Sequence, residues 1–220
     1  MFVPVAAQTA DALYADRATL ASARRAADLW TAAVASNPAD FESAWKLARA
    51  DYWLGGHAPA PERRTFYERG IEAAQKALAL EPNKPEGHFW TAANMGALAE
   101  SYGIRAGLKY RKPIKSELET VLRLDPAFQD GSADRALGRW YHKVPGLFGG
   151  SHEKAEQHLK ASLAYKADST ITHYFLAELY KDDGRLAEAR TELQKVLAAP
   201  VDPQWAAEDA DYKDKARRLL

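Results

Sequence analysis

Small and apolar side chains along this chain recur every three to four residues, and the recurrence comes in blocks that superimpose. Gly70–Pro82 (GIEAAQKALALEP), Ile114–Pro126 (IKSELETVLRLDP) and Ala189–Val201 (ARTELQKVLAAPV) share one frame. An earlier segment fits it through Ala26, Trp30, Ala33 and Pro38, and Ala155–Ala167 fits without the closing proline. Positions i, i+4 and i+7 lie on one face of a helix, so each block predicts a helix with a buried stripe. Most blocks stop at a proline, which cannot continue a helix and disfavours helical backbone in the residue before it.

A second set of blocks precedes the first. Ala44–Gly55, Phe89–Glu100, Asp134–Val144 and His173–Gly184 each carry a large residue, then a Leu/Ala–small pair, then usually an aromatic. Leu137-Gly138 before Tyr141, and Leu176-Ala177 before Tyr180, state the pattern most clearly. The small residue admits a neighbouring helix, and the aromatic fills the space beside it. The two sets alternate with a period of roughly 34–45 residues, the range of paired-helix solenoids.

In its small residues and terminal prolines this pattern resembles the tetratricopeptide repeat, from about residue 20 to 200. The resemblance implies an all-α, right-handed solenoid of helix pairs with about eleven helices. Residues 9–220 read as one such solenoid: an N-terminal pair, four repeats and a capping helix over about 203–219, charged along one side. Residues 1–8 (MFVPVAAQ) are apolar and end in small residues, which fits the remnant of a signal peptide or a frayed apolar end.

Two corners break the regularity. Between Val144 and Gly150 the connection is longer than a helical corner requires. Pro145 ends one helix, and Gly146, Gly149 and Gly150 shape the turn, the last two free to take positive φ. Ser151 can cap the next helix, with Glu153 in its first turn. Leu147 and Phe148 are expected to tuck inward as an apolar plug. A phosphate cradle would need a preceding strand and a Gly-Lys-Ser/Thr, and neither is here. HEKAEQH is not a zinc-protease motif either. The residue four after His152 is Glu156, and the second histidine, His158, falls on another face. No metal site and no cofactor are expected.

The second corner, Gly103–Lys115, carries Arg105, Lys109, Arg111, Lys112 and Lys115 with Tyr110 and no acid. It reads as a solvated basic loop, or as a docking patch for a carboxylate-bearing ligand or an acidic partner. Over the whole chain charge is balanced, with 30 basic and 30 acidic side chains, which argues against nucleic acid as a partner. There is no cysteine, so thiolate chemistry and a lipidated N-terminal cysteine are excluded. No apolar run approaches the ~18 residues of a membrane span. No Ser/His/Asp arrangement suggests catalysis.

The segments ADALYADR, AWKLARADYWLG, FWTAANMG and the run Arg135-x-Leu137-Gly138-Arg139-x-Tyr141-x-x-x-Pro145-Gly146 are similar to the T-component family of TRAP transporter systems. They are similar, more distantly, to the regulators of microtubule dynamics. The first resemblance implies a bacterial envelope protein, exported to the periplasm or beyond, often oligomeric, with a ligand-sized cleft and a solute-binding protein as partner. It also sets the expected site. In stacked pairs the first helices line the concave face, and their register places Trp45, Trp90, Arg135 and Tyr174 at one level. Arg49, Asn94, Arg139 and Glu178 follow one turn on, then Tyr52, Ala97, His142 and Lys181. Aromatics with interspersed arginine would suit an apolar organic acid or a peptide with aromatic and acidic groups, although aromatics at helical spacing also build cores. Three functions follow: a transport-system adaptor, a general peptide-binding scaffold, or a homo-oligomer that stacks head to tail into filaments.

Overall fold

A computed structural model describes residues 9–220. The expected leader or frayed end at residues 1–8 lies outside the described residues. Among the described residues eleven α-helices follow one another: α1 (Ala10–Ala15), α2 (Leu20–Ser36), α3 (Phe41–His57), α4 (Ala60–Leu80), α5 (Pro85–Tyr102), α6 (Ile104–Leu124), α7 (Phe128–Lys143), α8 (His152–Leu163), α9 (Thr170–Asp182), α10 (Leu186–Ala198) and α11 (Ala206–Leu219). A single 3-10 turn, Gly146–Phe148, lies between α7 and α8, and no strand occurs among the described residues. The fold is all-α and of tetratricopeptide type. Its helices fall into two compact units, one ending at Leu108 and one beginning at Lys109.

Local chemistry sets the helix ends. Asp40, Ser151 and Ser169 each cap a following helix by accepting the backbone N–H three residues on, at 3.0, 3.3 and 3.3 Å. The Ser43 N–H at the Asp40 carboxylate holds that acid below its usual range. Gly103, at φ 81, is the one residue separating α5 from α6.

In the first unit, Phe41, Ala44 and Ala77 form one packed cluster, with Val34, Trp45 and Leu80 against it. Asp51 is wholly buried on α3 and receives Arg69 Nε of α4 at 2.8 Å. In the second unit, α8 packs directly on Gly138 of α7. A Cβ there would stand 2.6 Å from Leu159 Cγ. The small residue of the Leu–small pair is therefore a helix-contact point, as the pattern implied. Ala177, Leu193, Val196 and Ala216 close the far end, so α11 caps α9 and α10 with its apolar face.

Two expectations are corrected. The basic corner is not a loop: Arg105 to Lys115 all lie within α6. Ile114, Leu118 and Val121 are buried at i, i+4 and i+7, and that stripe carries the helix. Pro113 sits inside it, with no N–H for the carbonyl of Lys109. The apolar plug is also absent. Leu147 is 91 % exposed and only Phe148 is partly covered. A 3-10 turn has three residues per turn, so consecutive side chains diverge by about 120° and cannot both turn inward.

Candidate partner-binding site

The row of first-helix residues separates into buried, paired and open members. Trp90 is 4 % exposed and Asn94 fully buried. The Asn94 amide donates to the carbonyls of Ala48 and Trp90, at 3.1 and 2.9 Å, so both residues are part of the packing. Tyr52, more open, tilts against Trp90 with ring centroids 5.7 Å apart. Arg49 is layered among the rings of Tyr14, Trp45 and Trp30, at 4.2, 5.0 and 5.9 Å. Tyr14 belongs to α1, and Asp11 of the same helix accepts from Lys46 Nζ at 3.1 Å. The chain's own first helix thus covers the Trp45–Arg49 face with an acid and an aromatic.

In the second unit the row is engaged in ties between neighbouring first helices. Arg139 of α7 pairs with Glu178 of α9 and lies 4.6 Å from the Phe175 ring. His142, 6 % exposed, meets Asp182 at 2.8 Å, and burial pushes its pKa down. Tyr174 packs on Tyr212 of α11 with centroids 5.3 Å apart. Arg135 is half-buried, and Lys181 is exposed. The aromatic and arginine pattern in the sequence is real, and in the fold most of it makes contacts within the protein.

The two irregular corners meet elsewhere in this unit. α6, the end of α7, the 3-10 turn and the start of α8 surround a cleft of about 410 Å³. Arg111, Lys112 and Lys115 reach it from α6 and Lys154 from α8. Trp140, Tyr141 and Phe148 form its apolar wall. Of the expected basic residues, Arg105 and Lys109 do not line it; Lys109 lies 4.6 Å from the Tyr110 ring.

Three features build this cleft. Trp140 Nε1 donates to the Arg111 carbonyl at 2.9 Å, tying α7 to α6. Gly149, at φ 105, lets the chain reverse after the 3-10 turn. Gly150 has no positive φ, contrary to expectation, and is needed for space instead: a Cβ would stand 1.6 Å from the Val144 carbonyl oxygen. That close approach lets Ser151 N–H donate to the Tyr141 carbonyl at 2.9 Å, which starts α8 beside the end of α7. Ser151 then caps α8 as the sequence suggested.

The electrostatics are one-sided. Four cationic side chains face one carboxylate, Glu119, and Lys115 Nζ already donates to it at 2.7 Å. That bond is the main reason the Lys115 pKa is raised. The Arg111 guanidinium lies 5.3 Å from the Phe148 ring, and Lys154 Nζ lies 5.6 Å from the Tyr141 ring. Cations held against aromatic faces are less hydrated than in open water, which strengthens their attraction for an anion. His158 stacks on the back of Tyr141, with ring planes 10° apart, and meets Asp134 at 2.7 Å. The two histidines of HEKAEQH therefore serve separate pairs, His158 with Asp134 and His152 with Asp183. Among the described residues no three of His, Cys, Asp and Glu come together as a metal-holding group. Among them, too, no helix is long and apolar enough to cross a membrane.

Known proteins share this architecture. Among solved structures, a thermophilic tetratricopeptide repeat protein of Thermus thermophilus superposes with a TM-score of 0.71 at 27 % identity, covering 96 % of each chain. MamA superposes with a TM-score of 0.55 at 16 % identity, covering 98 % of this chain and 99 % of that one, a likeness of fold alone. Regulator of microtubule dynamics protein 3 of Xenopus laevis is 29 % identical over 196 residues, 81 % of this chain and 41 % of its own. The Bos taurus protein of that name is 27 % identical over 173 residues, 71 % of this chain and 36 % of its own. The chain thus spans about two fifths of the length of these relatives. Two family models match, Regulator of microtubule dynamics protein 1-3 over residues 6–148 and TRAP transporter T-component over residues 86–220. Each model matches more than half of the chain, and the chain belongs to the families they describe.

Proposed function

We propose that this protein is a non-catalytic adaptor that docks a partner protein through the cleft between α6 and the α7–α8 corner. The observation that carries the reading is the lining: four cations against one already engaged carboxylate, backed by three aromatic rings. Elsewhere the groups expected to bind are consumed internally, Arg139 by Glu178 and Arg49 by three rings and α1. Both matching families support an interaction role over a catalytic one. The T-component match further supports work outside the cytoplasm, beside a solute transporter. Fractionation of the native cell tests that location.

The docking site is tested by cross-linking in the native extract, comparing wild type with a Lys112→Glu/Lys154→Glu double variant. Both lysines are exposed, so the fold should hold. A partner recovered with wild type and lost with the variant is expected. Equal recovery would move the docking site elsewhere.

A further inference from the structure

We infer that the occupant of this cleft is an acidic peptide segment carrying one large apolar side chain beside its carboxylates. The inference rests on the adaptor reading above and specifies the partner's chemistry. The cations alone would suit any anion. Trp140, Tyr141 and Phe148 narrow the choice, because they line the same cavity as Arg111, Lys112 and Lys154. A carboxylate lying next to an aromatic or branched side chain would use both surfaces at once. The protein carries 30 basic and 30 acidic side chains, so long-range attraction for anions is weak. Recognition must come from contact inside the cleft, where the rings exclude part of the water and strengthen each charge pair.

Leu147, 91 % exposed on the adjoining 3-10 turn, raises a competing occupant, an anionic lipid surface. The geometry favours the peptide. One exposed leucine offers little to a bilayer. The aromatic wall of the cleft is concave, and a concave wall receives a side chain rather than inserting one into a bilayer.

The test uses the full chain and three fluorescein-labelled peptides, Glu-Glu-Phe-Glu-Glu, Glu-Glu-Ala-Glu-Glu and Lys-Lys-Phe-Lys-Lys, read by anisotropy. The first should bind, the second should bind at least tenfold more weakly, and the third should not bind. Lys112→Glu/Lys154→Glu should weaken the first peptide at least tenfold with the helical circular dichroism unchanged. Equal binding of the Phe and Ala peptides would make the site a plain charge patch and overturn the inference. So would sedimentation with phosphatidylcholine–phosphatidylserine vesicles, absent with phosphatidylcholine alone and abolished by Leu147→Glu. If all peptides fail while the lysine reversals still remove the native partner, the peptide chemistry is wrong and the adaptor reading stands. If the reversals move neither, both fail.

Discussion

Gly150 should be the least replaceable residue of the α7–α8 corner, for a steric reason that separates it from its neighbours. In Gly150→Ala the new Cβ would stand 1.6 Å from the Val144 carbonyl oxygen and 2.6 Å from its carbon. Both atoms are backbone, so no rotamer change relieves the clash and the corner itself must open. Overpacking that forces backbone shifts costs about 1–3 kcal/mol. Opening also weakens the Ser151 N–H bond to the Tyr141 carbonyl, 2.9 Å long, at about 1 kcal/mol. The expected loss is about 2–4 kcal/mol. Gly149→Ala faces a different penalty. Its φ is 105, but its nearest new contact, Trp140 Cη2 at 3.5 Å, is ordinary. Only the left-handed backbone opposes it, at about 1–2 kcal/mol. Gly146→Ala meets nothing within 4 Å and should be neutral or slightly stabilising. Urea unfolding of the three variants, followed by circular dichroism and by tryptophan fluorescence, should rank the midpoints in that order. Coincident transitions from the two probes would justify the free energies. A Gly150→Ala midpoint equal to that of Gly146→Ala would refute the argument.

Three further outcomes follow from buried and paired groups. Burial raises the Asp51 carboxyl to about 6 despite its Arg69 bonds, so between pH 4 and 6 the folded state holds a proton that the unfolded chain has released. Stability from this group therefore falls as pH rises through that window, by about 3 kcal/mol, and the pH profile of Asp51→Asn should lack that slope. Glu156, pulled down to about 2 chiefly by its hydrogen bond from Arg185, contributes stability above pH 4.5 that is lost as pH falls toward 2. Glu156→Gln should flatten the acid limb of the unfolding curve. Asn94→Leu removes the donor to the Ala48 and Trp90 carbonyls. It should lower stability by about 1–3 kcal/mol in thermal unfolding, and a wild-type transition would show that those carbonyls find other partners.

Much of the fold was legible because tetratricopeptide packing is written at helical spacing. The Leu137-Gly138 pair marked a helix contact, and Gly138 does lie against Leu159. Prolines marked the block ends, and α2, α4, α6 and α10 stop within two residues before one. One stretch differs from its reading: Gly103–Lys115 reads as a solvated basic loop, but the stripe Ile114–Leu118–Val121 is buried and α6 runs helical through Pro113. The site was harder to read. Sequence register aligns Arg139 with Glu178 without saying that they pair. Nor does it say that Asp11, 35 positions away, would meet Lys46. Such contacts depend on which helix lies over which, and no local pattern records that. The cleft had a faint signal: both stretches that line it were the chain's irregular ones.

That coincidence has a physical cause. In a regular repeat each helix face is matched to the next, and polar groups on the first helices find partners one repeat away, as Arg139 and His142 do in Glu178 and Asp182. A surface so matched leaves little charge for a ligand. An extended corner changes the match locally. The 3-10 turn after Pro145 carries Phe148 toward Arg111, and the Gly150 contact starts α8 early enough to bring Lys154 to Tyr141. The facing stretch of α6 then presents Arg111 and Lys112 to an aromatic wall in place of a complementary acidic helix. Shortening the corner to an ordinary turn should close the cleft while leaving the helix pair intact. On the adaptor reading proposed above, the long glycine-rich corner is the element that adds a docking cleft to a structural repeat.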